Sequence, residues 1–342
     1  MIGSETSGGD HARWLLLIHQ LPAKPAYLRV KVWRRLQTLG AVTVKNGVYA
    51  LPASDQAQED FEWLLKEIVE SGGEAIVCEA RLVDGLSDAE ARGLFNAARE
   101  ADYSELADEI RNLSAKAGDA PSVESPTDYK LQIARLKSRL RQTVAIDFFG
   151  ANGRETVDGL LGALEKAVSE DPVEKAAEEL ASKPAIESLK GRVWVTRQGV
   201  HVDRIACAWM IRRFIDQNAV FKFVQVKSHT HTAGELRFDM FDAEFTHEGD
   251  RCSFEVLLAR ADLDDPALGV IAEIVHDIDL KDDKFAREET AGVRALINGI
   301  CTDTHDDEER IARGTAIFDN LYGGFRKKRS ARAFASASAK KD

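Results

Sequence analysis

Residues 42–52 read VTVKNGVYALP, two arms of alternating apolar residues separated by Asn46-Gly47. An Asn-Gly pair in this setting is the strongest short signal for a β-hairpin with a two-residue turn. An apolar strand, WLLLIHQL, precedes the hairpin at residues 14–21, and EAIVCEARLV follows it at 74–83. Helical periodicity fills the two intervals, with Leu or Val at positions 28, 32, 36 and 39 of the first. The order β-α-β-β-α-β predicts a ferredoxin-like domain.

The rest of the 342-residue chain reads as a helical region followed by a second domain. The fold class expected is therefore α+β, in five segments: a ferredoxin-like domain at 12–86, a helical extension with a basic helix at 87–170, a charged connector at 171–191, a C-terminal mixed α/β domain at 192–325, and a disordered basic tail at 326–342. In the C-terminal domain the pattern predicts strands at 192–197, 220–227 and 236–246, with helices at 203–216, 253–261, 266–279, 287–301 and 306–322.

Charge is divided unequally along a chain whose net charge is −11. Residues 11–52 hold seven Lys or Arg and no acid, and residues 129–146 hold five and no acid. Residues 239–309 hold 21 acids against six bases, a net of −15. The asymmetry indicates that the first half meets a polyanion. Candidate DNA-binding residues lie on two basic helices: Arg29, Lys31, Arg34, Arg35, Lys130, Lys137 and Arg141. Ordinary solvated helix faces are the alternative.

Several classes of protein are not supported by the sequence. The four cysteines are far apart and contain no C-x-x-C pair, which disfavours a zinc knuckle or a disulfide scaffold and fits a reducing cytoplasm. No run approaches the roughly 20 apolar residues of a membrane span, so no membrane partner is expected. A phosphate-binding P-loop and the G-x-S-x-G motif of serine hydrolases are also absent.

One strand-to-helix junction concentrates groups that bind anions. Residues 194–216 read WVTRQGVHVDRIACAWMIRRFID, which place Arg197, His201, Arg204 and Arg212 around a predicted helix start with Asp203 as its N-cap. Helix N-termini and arginine forks both suit tetrahedral oxyanions. The alternative is that these arginines pair with the surplus carboxylates of the acidic domain.

A second group of residues has the donor types of a metal site. Glu273 and His276 are three positions apart on a predicted helix and would share a face. Two histidines with several carboxylates suit a divalent Zn, Fe or Mn ion. The candidate ligands are His247, Glu255, Glu273, His276 and Asp279. A solvated acidic face with satisfied histidines stays open as the alternative.

Four stretches carry a resemblance to the ChrB family of chromate-resistance proteins: the 194–216 segment, FTHEGDRCSFEVLL, IAEIVHDIDLKD and FDNLYGGF. The N-terminal stretch RWLLLIHQLPAKPAYLRVKVWRRLQTLGAVTVKNGVYALP resembles the N-terminal domain of that family, and the first half also resembles the ferredoxin-like domain of PaaX-type repressors. The family implies a cytoplasmic, chromate-responsive transcriptional regulator that binds the promoter of a chromate-efflux operon. Because operators are commonly symmetric, a homodimer is expected.

The resemblance also assigns the anion-binding residues. It implies that Arg197, Arg204 and His247 hold chromate, with His201 and Arg212 as the second choice of candidates. No catalytic residue is expected. Two other functions stay open: a metal-dependent redox or hydrolytic enzyme in chromate detoxification that uses the His and carboxylate cluster, and an interaction module whose acidic domain binds a partner.

Overall fold

The computed structural model describes residues 13–22, 24, 26–118, 126–168, 186–225, 232 and 234–338. The predicted connector therefore lies outside the described residues as far as residue 185, and residues 339–342 lie outside them too. The chain forms two compact units. The first contains the described residues up to Glu105 together with Ser138–Asn152, and the second contains Leu106–Lys137 and the described residues from Gly153 onward.

The first unit contains the predicted ferredoxin-like arrangement, and the α+β fold class is confirmed. Its elements are β1 (Trp14–Gln20), α1 (Ala26–Thr38), β2 (Val42–Lys45), β3 (Val48–Pro52), α2 (Asp55–Glu70) and β4 (Glu74–Ala80). The four strands are antiparallel in the order β2-β3-β1-β4. The first and last strands of the motif therefore pair with each other, and the hairpin lies on the other side of β1.

The Asn46-Gly47 hairpin forms where the sequence predicts it, with Lys45 opposite Val48. Gly47 has φ of 73°, in the left-handed region that favours glycine. Its carbonyl accepts a hydrogen bond from the backbone N–H of His19 at 2.8 Å. A Cβ at position 47 would lie 2.6 Å from the carbonyl oxygen of His19. Glycine is thus needed both for the backbone conformation and for the approach of β1.

Helices α1 and α2 supply the core beneath this sheet. Leu28, Val32 and Leu36 are buried, as their four-residue spacing predicts, and they join Phe61 and Leu64 of α2 in one hydrophobic cluster. Gly40 ends the first helix with φ of 72°. The apolar stripe of each helix therefore faces the sheet, and the cationic residues of α1 are left on the opposite side.

Three helices follow: α3 (Asp88–Gly118), α4 (Pro126–Ala145) and α5 (Arg154–Val168). The sequence predicts them as a separate extension, but α3 and α4 are each divided between the two units. The beginning of α3 packs against the first unit through Trp14 of β1. The ring of Phe95 stacks on Trp14 with 5.6 Å between ring centroids, and Asp88 accepts the indole N–H of Trp14 at 2.7 Å.

The second unit has a three-stranded parallel sheet surrounded by helices. Strand β5 (Val193–Arg197) lies between β6 (Val220–Val224) and β7 (Glu235–Arg237). The helices are α6 (Val202–Met210), which continues into a π-helical turn at Ile211–Ile215, then α7 (Ser253–Arg260), α8 (Pro266–Asp279), α9 (Thr290–Asp303) and α10 (Asp307–Ser338). Trp209 of α6 packs against Phe254 of α7 and Phe318 of α10, which joins three helices in one aromatic core.

Two elements differ from the sequence prediction. The strand predicted over 236–246 ends at Arg237, because Asp239 and Asp242 adopt positive φ values of 44° and 56°, which a strand does not accommodate. The tail predicted to be disordered from residue 326 is instead helical as far as Ser338. Alanine, lysine and arginine, which recur there, are strong helix formers.

Among the described residues, none of the helices combines the length and the apolar character needed to cross a membrane.

We expect the substitution Gly47→Ala to lower the free energy of unfolding by about 2 kcal/mol or more. The left-handed conformation alone costs a residue with a Cβ about 1–2 kcal/mol, and here the new methyl group also meets the carbonyl oxygen of His19. The matched control is Gly72→Ala, since Gly72 has φ of 79° but no atom within 4 Å of an added Cβ. Urea denaturation measures both, and equal losses would contradict the close approach at the hairpin.

Candidate functional site

The carboxyl end of β5 and the start of α6 bring the predicted anion-binding residues into the interior of the second unit. Arg197, the last residue of β5, is 5% exposed, and its Nη2 donates to Oε2 of Glu155 at 3.1 Å. Glu155 lies in the first turn of α5 and is equally buried. Such a pair is stable only when both charges remain together, since a lone buried charge is costly.

Arg204 forms a second buried ion pair. Its Nε donates to Oδ2 of Asp239 at 3.0 Å, and its Nη1 donates to the carbonyl of Gly199 at 2.8 Å. Burial, and next the charge of Arg197, lower the pKa of Arg204. Asp239 is the residue whose positive φ ends β7, so the same backbone turn that stops the strand directs a carboxylate to the guanidinium.

His247 joins the same cluster from the following loop. Its Nε2 is 2.9 Å from Oδ2 of Asp279, and its Nδ1 is 3.2 Å from Oγ of Ser253 and 3.6 Å from Oδ1 of Asp239. Burial by itself lowers the pKa of His247, but the hydrogen bond and charge of Asp279, with the charges of the neighbouring aspartates, raise it to about 10. His247 is therefore an imidazolium at neutral pH.

Asp203 is not the N-cap of α6 that the sequence predicts. Helix α6 begins at Val202 with His201 as its N-cap, so the N-cap lies two residues before the predicted one and Asp203 is inside the first turn. The carboxylate of Asp203 instead accepts the backbone N–H groups of Ser253 and Phe254, at 2.8 and 2.9 Å, and so caps helix α7. Burial raises the pKa of Asp203 well above its ordinary value, and the charges of Asp239 and Asp279 raise it further.

The structure thus brings Arg197, Arg204 and His247 together, but with a carboxylate against each cation. Asp239 is shared between Arg204 and His247, and Glu155 and Asp279 serve the other two. Three cations face three anions, and Asp203, whose pKa is raised by burial, lies beside them. The arrangement matches the alternative in which the arginines pair internally, and it is not an open pocket for an anion.

The two remaining anion-binding candidates have hydrogen-bond and ion-pair partners outside this group, although the charge of His201 helps to lower the pKa of Asp279. His201 is half-buried, and its Nε2 is 3.0 Å from Oδ1 of Asn298 on α9. Arg212 contacts Oε2 of Glu308 at 3.3 Å and lies over the ring of Phe221, 4.5 Å from its centroid. The structure gives Arg212 no contact with the cluster around Asp239.

The predicted metal ligands separate into two groups. His247 and Asp279 converge with Asp203, and their ligand atoms lie within 4.8 Å of one another. The second such group contains His276, Asp277 and Asp282, with Glu255 on the other ring nitrogen of His276. Glu273 belongs to neither, because its carboxylate accepts from Arg287 at 2.7 Å. The shared helix face of Glu273 and His276 therefore does not produce a shared site.

The predicted DNA-binding residues of α1 form a surface in the first unit. Arg29, Lys31, Arg34 and Arg35 are all exposed. Lys31 forms an ion pair with Glu67 of α2, an acid that the sequence pattern of α1 alone does not reveal. On α4, Lys130 and Arg141 are exposed, whereas Lys137 is half-buried and contacts Glu165 at 2.6 Å.

The sequence pattern identified the buried cations of the cluster but not the residues that contact them. Glu155 lies in the region predicted to be a separate helical extension, so nothing in the pattern connects it to Arg197. Ser253, fully buried between Asp239 and His247, carries no signal beyond its place before an apolar helix. A buried cation always requires a counter-charge, but the sequence does not show which distant acid supplies it.

Comparison with known proteins places the chain within one family. Residues 29–119 match the family model described as "Protein ChrB, N-terminal", and residues 194–325 match "ChrB, C-terminal domain". The curated "Protein ChrB" of Cupriavidus metallidurans is 31% identical over 319 residues, which cover 91% of this chain and 95% of that protein. No solved structure matches.

We expect His247→Gln to lower the free energy of unfolding by about 3 kcal/mol at neutral pH, since it leaves Asp279 and Asp239 without their shared cation. A group whose pKa rises on folding stabilises fully below its unfolded value, near 6.5, and this contribution disappears as the pH rises towards about 10. The deficit of the variant should therefore be largest near pH 6 and shrink by pH 9. Urea denaturation across this range is the measurement.

The matched control for that experiment is His305→Gln, which removes an exposed histidine from the same unit. A deficit in His247→Gln that does not depend on pH would show that His247 is neutral in the folded protein.

Proposed function

Because this chain belongs to the ChrB family, a family associated with chromate resistance, we propose that it is a chromate-responsive transcriptional regulator that binds, as a homodimer, the promoter of its own operon. In this proposal the first unit contacts DNA and the second senses the oxyanion. The observation that carries the proposal is the exposed surface of α1 and α2, which combines cations with aromatic rings.

This surface has the composition of a nucleic-acid interface. Between α1 and α2 lies a groove of about 530 Å³ lined by Arg34, Arg35, Trp63 and Lys66, among other residues. Trp63 is 67% exposed, and the ammonium group of Lys66 lies 5.2 Å from the centroid of its ring. Cations beside exposed rings suit phosphates and bases respectively.

Helix α1 also exposes aromatic rings outside the lining of this groove. Trp33 is 53% exposed and Tyr27 is 66% exposed, although both belong to residue types that a folded chain usually covers. Arg29 lies between them in sequence and is exposed as well. The exposed surface of α1 thus carries aromatic rings and cations, and the helix contains no acid of its own, which supports a polyanionic partner. Glu67 and Glu70 of α2 line one side of the groove and limit where a phosphate backbone can lie.

In this proposal the second unit senses a dianion by anion exchange: the dianion replaces a carboxylate as the partner of an arginine. Each arginine of the cluster already has a carboxylate partner, so a tetrahedral dianion must replace one of them. Arg197 with Glu155 is the pair proposed for this exchange, because a guanidinium fork can donate to two oxygens of such an anion as it does to those of a carboxylate. Displacement of Glu155 would release the first turn of α5, which gives the bound and unbound forms different structures, as a switch requires.

The first test concerns DNA binding. We expect the double variant Arg34→Ala/Arg35→Ala to weaken binding to the upstream DNA of the operon at least tenfold. The negative slope of log affinity against log salt should become less steep by about 2, because two phosphate contacts are lost. The measurement is a mobility-shift titration at several salt concentrations.

The control for this test is Lys190→Ala/Arg192→Ala, which removes two exposed cations from the second unit. Equal loss in both double variants would indicate a general effect of charge, and unchanged binding by Arg34→Ala/Arg35→Ala would exclude the α1 surface as the DNA interface.

The second test uses the two partners of one ion pair, which the exchange mechanism predicts to respond in opposite directions. Glu155→Gln removes the competing carboxylate, so chromate should bind more tightly, by about tenfold, and should raise the melting temperature more than in the wild type. Arg197→Gln should abolish the response. Sulfate, a tetrahedral dianion that is not an oxidant, serves as the parallel ligand. Weaker binding by Glu155→Gln would contradict the exchange.

A further inference from the structure

A buried group of side chains at the end of α8 lies apart from the cluster around Asp239. His276 is fully buried on α8, Asp277 follows it, and Asp282 lies in the loop after the helix. One ligand atom from each of these three residues lies within 4.8 Å of the other two. Ligand atoms bound at about 2.0–2.2 Å from a first-row ion are at most about 4.4 Å apart, so binding requires only a small contraction.

The hydrogen bonds of His276 determine which ring nitrogen faces this group. Nδ1 is 2.7 Å from Oε2 of Glu255, and the same oxygen also accepts the backbone N–H of Cys252 at the start of α7. A carboxylate held in this way fixes the tautomer with hydrogen on Nδ1 and directs Nε2 towards the remaining groups. This is the carboxylate–histidine arrangement that supports metal-bound imidazoles.

Nε2 of His276 then lies 3.3 Å from Oδ2 of Asp282. With hydrogen already on Nδ1, a lone pair would face a carboxylate oxygen at this distance. A positive charge must therefore lie between them, either as a proton on Nε2 or as a metal ion. Arg111 also approaches Asp282, with Nη2 at 3.8 Å, and supplies part of the positive charge.

The contacts of Asp277 favour a metal ion over a proton as the positive charge in this group. Its side chain is fully buried, and Oδ1 accepts the backbone N–H of Phe285 at 3.0 Å. Oδ2 has no hydrogen-bond partner within the part of the chain that the structure describes. A proton on Nε2 of His276 serves Asp282 and leaves this buried oxygen unsatisfied, at a cost in free energy. A multivalent cation serves all three residues at once.

The cluster around His247 differs from the group around His276 in how its carboxylates are satisfied. There the imidazolium has an acceptor near each nitrogen, and both oxygens of Asp203 accept backbone N–H groups. Each of those carboxylates has hydrogen-bonding partners, so a proton on His247 suffices.

We infer that His276, Asp277 and Asp282 form a binding site for a divalent first-row transition ion, with Glu255 as the positioning residue for the imidazole. One imidazole nitrogen with two carboxylates suits Zn²⁺, Mn²⁺ or Fe²⁺. The buried nitrogen donor disfavours Mg²⁺ and Ca²⁺, which select oxygen ligands. The ring of Phe285 covers the imidazole edge-on at 4.9 Å between centroids and shields this side of the site. The inference is independent of the proposed response to chromate.

The test uses the full chain, treated with a chelator and then titrated with Zn²⁺ against a chromophoric competitor. We expect one equivalent to bind, and Asp282→Asn to weaken binding at least tenfold. Asp283→Asn, a change of the neighbouring exposed aspartate in the same loop, should bind as the wild type does. Co²⁺ provides a second readout, since its visible absorption bands should appear in the wild type and be lost in Asp282→Asn.

Two further variants make the assignment specific. Asp277→Asn tests the buried oxygen and should weaken Zn²⁺ binding as Asp282→Asn does, with circular dichroism to verify folding. His247→Gln should retain the ion, because it changes the other cluster. The inference is overturned if the wild type binds no equivalent of Zn²⁺, if Asp282→Asn binds it as tightly as Asp283→Asn, or if His247→Gln alone loses it.

Discussion

Balance of buried charge is the constraint on which the second unit depends. Arg204, Asp239, His247 and Asp279 form a continuous chain of charge contacts, and Arg197 with Glu155 lies beside it. These residues come from five places in the chain, so the network fixes β5, α5, α6, α8 and the loop after β7 to one another. Removing any member leaves an uncompensated charge in the interior, which is far more costly than loss of an exposed ion pair.

The same balance defines what the cluster can do chemically. Because the arginines of this cluster already hold carboxylates, an anion would have to replace one of them in order to bind. In the proposed exchange the displaced carboxylate belongs to helix α5, so binding would be coupled to a rearrangement of that helix. The cluster at the end of α8 has the opposite character: Asp277 and Asp282 contribute more acceptor oxygens than one proton on His276 can serve, which favours a multivalent cation.

In the first unit the decisive constraint is steric. The hairpin at Gly47 brings its backbone against β1, and α1 and α2 pack their apolar stripes beneath the sheet. The opposite side of α1 is then free to carry cations and exposed rings. Acids of α2 line the same groove, so the charge of the surface is decided by two helices together and not by the composition of one.

Local patterns in the sequence were enough to predict the ferredoxin-like order and the helices of both units, and they identified the residue types that gather in the two clusters. Hairpin chemistry and apolar periodicity are local properties, so Asn46-Gly47 and the stripe at Leu28, Val32 and Leu36 predict structure without knowledge of distant residues. The folded chain, in contrast, reveals that Glu155 faces Arg197, that Asp203 caps a helix fifty residues away, and that the metal candidates separate into two groups. Counter-charges in an interior are chosen by proximity in space, and many acids of the chain satisfy the same requirement in sequence.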